Sequence, residues 1–177
     1  MSGGEARGVT LRREAAADIP AVRALNDLAF GGTVEGAIVD ALRAGCTGAL
    51  SLVAEEGGRV VGHIFFSPVA VAGMSGTEAM GLAPMAVAPD RQRRGIGAAL
   101  IGHGLQELLR RGCSLVVVLG HPEYYPRFGF VPAARYGLRC QWEGVPEEAF
   151  MVRFLVPARK GTVSGVVRYR KEFDAAV

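Results

Sequence analysis

The stretch Leu82–Gly104, LAPMAVAPDRQRRGIGAALIGHG, decides how the rest of this chain is read. It predicts a strand over Leu82–Val87, a turn at Ala88-Pro89-Asp90, an arginine- and glycine-rich loop, and a helix from near Arg94 to about Arg111. The first four amides of a helix have no intrahelical partner, so they point outward as donors. Gly95 and Gly97 remove the side chains that would hold a ligand away from those amides. Arg91, Arg93 and Arg94 add positive potential to the positive end of the helix dipole. Elementary physics therefore gives a cradle for a diphosphate and leaves its owner open.

Two familiar phosphate loops do not fit. A P-loop needs G-x-x-x-x-G-K-[ST], which occurs nowhere in the chain. A dinucleotide fingerprint needs a third glycine where Leu100 stands, and an acid about 20 residues on, near Leu115, where none exists. What remains is Gln92-Arg93-Arg94-Gly95-Ile96-Gly97, a [QR]-x-x-G-x-[GA] pattern after a strand ending Met85-Ala86-Val87. It resembles the coenzyme A loop of the GNAT (N-acetyltransferase) superfamily. The resemblance implies acetyl-CoA as acyl donor, held by Gln92, Arg93, Arg94, Gly95, Ile96, Gly97 and Ala98 and by the backbone of Met85, Ala86 and Val87.

Length and composition set the bounds. A chain of 177 residues is one domain by length, long enough to bury a core. Half the residues are hydrophobic and 21% are charged, which excludes a disordered chain. The net charge of +3 is mild, and outside the loop the arginines are scattered, so nucleic acid is not an expected partner. Cys46, Cys113 and Cys140 are odd in number and lack metal spacing, which suits buried thiols in a reducing cytoplasm and no metal. No apolar run nears the 18 residues of a membrane span. The expectation is a cytoplasmic protein without a membrane partner, and a homodimer is compatible with it.

Outward from the central stretch, residues 1–8 read as a disordered lead-in and 9–177 as a single domain with its motif core at 82–131. Val9–Arg13 suits a first strand. Asp18 is the expected N-cap of a helix to Phe30 with Pro20 in its first turn, and Thr33 the cap of a second helix. Ala49–Glu55 and Val60–Ser67 form a hairpin across Glu56-Gly57-Gly58-Arg59, the second strand continuing past Pro68 to Ala72. Pro84 cannot donate to a ladder, so a bulge or unpaired edge is expected there, leaving Met85–Val87 open to a ligand. The helix after the loop places Ala98, Ile101, Leu105, Leu108 and Leu109 on one side. Ser114–Leu119 is a continuous apolar run of the kind found in buried parallel strands. Strand, helix, strand implies a right-handed crossover and a parallel pair. The fold class is thus α/β (α+β): a mixed, mostly antiparallel sheet of about six or seven strands with one splayed parallel pair from Leu82 and Ser114, flanked by helices. Phe150–Val156 and Ser164–Tyr169 are the expected closing strands.

A second motif, found independently, strengthens the resemblance. GNAT proteins commonly carry, after the fifth strand, a tyrosine four residues before a Gly-Phe pair; Tyr125 stands so before Gly129-Phe130. The resemblance implies that Tyr125 protonates the leaving thiolate, while a strand-four amide polarises the thioester and a free amine attacks directly. Some members place a glutamate base 14 residues before the first loop glycine, where this chain has Gly81. Either the base lies elsewhere, among Glu55, Glu78, His121 and a water chain, or the substrate amine is already mostly neutral. His63 reads as a core histidine and His103 as solvated, while Tyr124 either packs on Phe128 or lines the pocket.

The acceptor is taken as a primary amine of a small molecule or a peptide, bound between residues 18–44 and the segment after Val131. Asp18, Asp27, Glu35 and Asp40 are spread along helices, and Glu143, Glu147 and Glu148 read as solvated, which disfavours polycationic acceptors. The missing base points to an amine of low pKa, such as an α-amine near 8 rather than a lysine-like one near about 10.4. A non-catalytic acyl-CoA-binding regulatory module is the alternative.

Overall fold

A computed structural model of the chain describes residues 8–176, so all of the expected lead-in except Gly8 lies outside the described residues. In chain order the elements are β1 (Val9–Arg13), α1 (Ile19–Phe30), α2 (Val34–Gly45), β2 (Leu50–Glu56), β3 (Arg59–Pro68), β4 (Ala79–Val87), α3 (Ile96–Arg110), β5 (Leu115–Leu119), β6 (Val131–Pro132), β7 (Leu138–Cys140), β8 (Phe150–Phe154) and β9 (Gly165–Val167). Seven strands form one sheet in the order β1-β2-β3-β4-β5-β8-β6, and β7 and β9 form a small parallel pair of their own. Every ladder of the large sheet is antiparallel except β4–β5, which is parallel.

Alternation along the strands sorts the sheet into two faces. Leu52, Ile64, Phe66, Met80, Val116 and Val118 meet Ile96, Leu100, Ile101, Leu105 and Leu108 of α3. Val53, Phe65, Ala79, Leu115 and Val117 meet Val22 of α1 and Ile38, Val39 and Leu42 of α2. The helices thus cover both faces, and the C-terminal ends of β4 and β5 are left between them.

Several expectations shift. β4 begins at Ala79, three residues before Leu82, and the parallel ladder uses its first four residues. β3 stops at Pro68; Ala70 bridges to Arg168 instead of extending the strand. The last expected strand shortens to β9 and leaves the main sheet, because it pairs only with β7. α3 starts after Gly95, whose φ of 80° is left-handed and outside the helix. Leu109 is exposed, since the buried stripe runs through Leu100, Ile101, Gly104, Leu105 and Leu108. Neither Asp18 nor Thr33 makes a side-chain cap bond. Asp18 instead accepts from the Ala15 amide at 2.7 Å and from Arg12 at 2.7 and 2.9 Å, and those bonds hold its carboxyl at a pKa of about 2. All three cysteines are free thiols, but only Cys113 is buried; Cys46 and Cys140 are partly exposed.

His63 is a core residue, as expected. It is fully buried, with Asn26 Nδ2 3.1 Å from Nδ1 and Ser51 Oγ 2.9 Å from Nε2. Asn26 also donates to the Val22 carbonyl, and Ser51 to Glu14, so a consistent direction runs from α1 through His63 to β2. Burial, with Arg43 nearby, lowers the imidazole pKa to about 3. The folded chain therefore keeps His63 neutral, whereas the unfolded chain protonates it below about 6.5. Its contribution to stability is full above that pH and is lost as the pH falls towards 3. Asp18, with its low pKa, begins to lose its own contribution only below about 4. Denaturant midpoints should accordingly drop between pH 7.5 and pH 5, and His63→Gln should flatten that drop.

Two glycines of α3 differ sharply in their surroundings. A Cβ at Gly104 would lie 2.4 Å from the Phe66 ring, whereas one at Gly102 would meet nothing within 4 Å. Helix propensity favours alanine over glycine by about 1 kcal/mol, and overpacking costs roughly 1–3 kcal/mol. Gly102→Ala should therefore raise the thermal midpoint by a few degrees, and Gly104→Ala should lower it. Equal shifts from the two would refute the close packing of α3 on Phe66.

Candidate active site

The site begins where the parallel ladder ends. β4 and β5 pair from Ala79↔Leu115 to Leu82↔Val118, and after Leu82 the β5-facing side of β4 has no strand partner. On its other side β4 resumes with β3 at Met85↔Ile64, after a register shift opposite Phe65. Ala83 and Pro84 form the extra segment there, joined by a cis peptide. The expected bulge at Pro84 is present, and Met85 lines the opening, whereas Ala86 and Val87 do not. A cavity of about 510 Å³ fills the gap. Leu82–Met85 line one side, Leu119, Gly120, His121, Tyr124 and Tyr125 another, and Phe30, Glu35, Ile38, Phe173 and Ala176 the rest.

The glycine loop follows the end of β4 and leads into α3. Arg93 has a φ of 62°, the one non-glycine residue with positive φ among the described residues, and Gly95 follows at 80°. These two left-handed positions turn the chain so that α3 starts with its first amides unpaired. Gln92 Nε2 donates to the Val87 carbonyl at 3.2 Å, fixing the loop to the end of β4. Ile96 is buried, so its side chain anchors the helix to the sheet and only its backbone remains for a ligand. A Cβ at Gly97 would come within 3.1 Å of the Tyr124 hydroxyl, which places that tyrosine against the loop. Of the three arginines, Arg91 is engaged with Glu56 and Asp90, while Arg93 and Arg94 are exposed and form no ion pair among the described residues. The cradle's uncompensated charge is therefore theirs alone.

Tyr125 stands on the opposite side, in a short turn of 3-10 helix, edge-on to Phe130 at 5.7 Å. A Cβ at Gly120 would strike its ring at 2.4 Å, so the glycine ending β5 makes room for it. Burial, aided by Tyr124, pushes its phenol to a pKa of about 12. Its hydroxyl makes no hydrogen bond among the described residues, and the residue lines the cavity. Tyr124 does both things expected of it: it packs edge-on against Phe128 at 5.2 Å and lines the cavity. His121 lines it too, whereas Glu55 is paired with Arg12 and Glu78 with Arg159, and neither lines it.

The acetyltransferase (GNAT) domain family model matches residues 10–133. This chain belongs to the GNAT acetyltransferase family. It is 38% identical to the uncharacterized N-acetyltransferase YhbS of Escherichia coli K12, covering 93% of this chain and 98% of that protein. The crystal structure of Escherichia coli YhbS with CoA superposes with a TM-score of 0.88, covering 94% of this chain and 92% of that one. A GNAT acetyltransferase from Brucella melitensis, solved with acetyl-CoA, is 37% identical with a TM-score of 0.78, covering 94% and 98%. The fold class and the enzyme class read from the sequence both hold.

The packing around Gly81 leaves no room for a side chain. A side chain there would meet Tyr169 Cε1 and Val69 Cγ1 at 2.9 Å each. Tyr169, stacked on Trp142 at 5.0 Å, fills the space next to β4 on the α1–α2 side. Its hydroxyl is buried without a partner, and burial holds its pKa far above the ordinary value, so it is no base. Sequence reading also missed Glu35 as a lining residue. A signal existed: Asp27 has Arg23 four residues before it and Asp40 has Arg43 three after, but no basic residue lies three or four positions from Glu35. Gly81→Glu should be destabilising by at least the roughly 1–3 kcal/mol typical of overpacking. In a double-mutant cycle Tyr169→Leu should relieve part of that cost, and strict additivity would show that the two do not compete for one space.

Proposed function

We propose that this protein transfers the acetyl group of acetyl-CoA directly to a primary amine of a small molecule or a peptide in the cytoplasm. The observation that carries the reading is the early end of the β4–β5 ladder beneath the glycine loop. The fit to the donor is good in three respects. The loop from Gln92 to Ala98 offers unpaired amides and the charges of Arg93 and Arg94 for a diphosphate. The free edge of β4 over Met85–Val87 would accept a pantetheine arm as an added strand. Tyr125 lines the cavity at the other side, where the thiol end would lie. A cytoplasmic setting is supported by the three free thiols.

In the reaction the amine nitrogen bonds to the thioester carbonyl carbon, the carbon–sulfur bond breaks, and sulfur keeps the electron pair. Starting from an ammonium, two protons leave nitrogen: one ends on the thiol and one in solvent. An amide of β4 facing the carbonyl oxygen would lower the barrier by roughly 3 kcal/mol. Tyr125, with its pKa of about 12, remains protonated at any working pH. Full transfer to a thiolate of ordinary pKa about 8.5 is uphill by several kcal/mol, so its first service is a hydrogen bond to the departing sulfur. The amine's own proton then completes the thiol.

Two measurements test this. Calorimetry should find acetyl-CoA binding without ATP or NAD binding. Gly95→Glu should abolish that binding, while Gly95→Asn, which tolerates the left-handed backbone, should largely keep it. Tyr125→Phe should lower turnover on the order of 100-fold with acetyl-CoA affinity nearly unchanged. The wild-type rate should rise with pH as the amine deprotonates and show no decline up to pH 10, because the Tyr125 proton is still in place there. An intact rate in the phenylalanine variant, or a decline near pH 9, would remove Tyr125 from the chemistry.

A further inference from the structure

We propose that the acceptor is a compact primary amine with an apolar body and no carboxylate, held by its ammonium on Glu35. This rests on the acetyl-transfer reading of the same cavity and names the substrate class for it. The cavity of about 510 Å³ is of small-molecule size, and it must also admit the thioester end of the donor, which keeps the acceptor small. Phe30, Ile38, Leu119 and Phe173 give it apolar walls on the side away from β4. Phe173 and Ala176 belong to the 3-10 turn Lys171–Ala176, which closes that side.

The polar lining decides the head group. Glu35 is the sole carboxylate lining the cavity, and it forms no ion pair among the described residues. The other acids of this region are already neutralised: Asp18 by Arg12, Asp27 by Arg23, and Asp40 by Arg23 and Arg43. One unpaired carboxylate in apolar walls matches one ammonium. A polyamine would bring a second cation with no partner, and no lysine or arginine lines the cavity to receive the carboxylate of an amino acid. Both would leave a charge unpaired on entry, and an apolar monoamine would not. Among the α-amines that the sequence favours on grounds of pKa, that of a free amino acid is thereby set aside on grounds of charge.

The test is a thiol-release assay on purified full-length protein with acetyl-CoA. Phenethylamine and isoamylamine should each exceed phenylalanine and spermidine at least tenfold in kcat/KM. Phenylalanine carries the same body as phenethylamine plus a carboxylate, so that pair isolates the head-group argument. Glu35→Gln should raise KM for phenethylamine on the order of 10- to 100-fold, with much less change in kcat and none in acetyl-CoA affinity. Glu35→Asp should recover part of the loss, which a purely structural role at the start of α2 would not produce. An unchanged KM in Glu35→Gln overturns the assignment, as does a preference for spermidine, for phenylalanine, or for a peptide amide with an apolar N-terminus. Acetyl-CoA binding without thiol release from either small amine also overturns it, and alone. Failure to bind acetyl-CoA overturns the transferase reading beneath it.

Discussion

Four residue pairs of parallel ladder, and then none, is the constraint on which this molecule turns. β4 and β5 are held together from Ala79↔Leu115 to Leu82↔Val118 and part at the next residue. Pro84 has no amide hydrogen, so it cannot carry a ladder bond, and the extra segment Ala83-Pro84 displaces the register against β3. A parallel sheet covered on both faces would otherwise be closed along its whole length. Here the closure fails at one point, and the glycine loop, the cavity and Tyr125 all stand around that point.

An opening of this kind carries a cost that the rest of the structure must bear. Backbone groups on the free side of β4 need partners from outside the sheet, because an unmade buried hydrogen bond costs about 1–3 kcal/mol. The flanking packing keeps the gap from collapsing. Phe66 sits against the bare backbone of Gly104 on one face, and Tyr169 against that of Gly81 on the other. Both contacts depend on glycine, and both brace strands next to the gap, β3 and β4. The rigidity of the frame and the openness of the site therefore have one origin in the distribution of small residues.

Much of the fold was legible in the residues. The apolar runs of β2, β3 and β5 and the Gly-Ile-Gly turn marked the sheet's centre, and Tyr125 before Gly129-Phe130 marked the cavity's far wall. Legibility declined where the signal was tertiary. Nothing local says that β3 should stop at Pro68 or that Gly165–Val167 should pair with Leu138–Cys140 and leave the main sheet. Those outcomes follow from which edge is free once the sheet has formed. Asp18 carried a cap signal that its neighbours overrode, since bonds from Arg12 and the Ala15 amide satisfy its carboxylate first. Arg91 looked like part of the phosphate cradle, but Glu56 and Asp90 claim it. Charge in a loop is legible, whereas its compensation by a distant strand is not.

At Gly81 the space beside β4 is taken by packing, with Tyr169 and Val69 closing on the bare backbone. With Tyr169 filling the space next to that position, the β4 side of the cavity presents Leu82, Ala83, Pro84 and Met85, none of which can take a proton. The titratable groups that remain are Glu35 on α2, and His121, Tyr124 and Tyr125 beyond β5. Tyr125 holds its proton to about pH 12, and burial raises Tyr124 above its ordinary value as well, so neither accepts one in a working range. Under the proposed transfer one proton of the ammonium completes the thiol and the other passes to solvent, so no lining group has to keep it. The proposed roles thus sit on different elements, a hydrogen-bond donor in Tyr125 after β5 and an ammonium partner in Glu35 on α2. The sheet supplies position, and the groups around its parted strands supply the polar lining of the cavity.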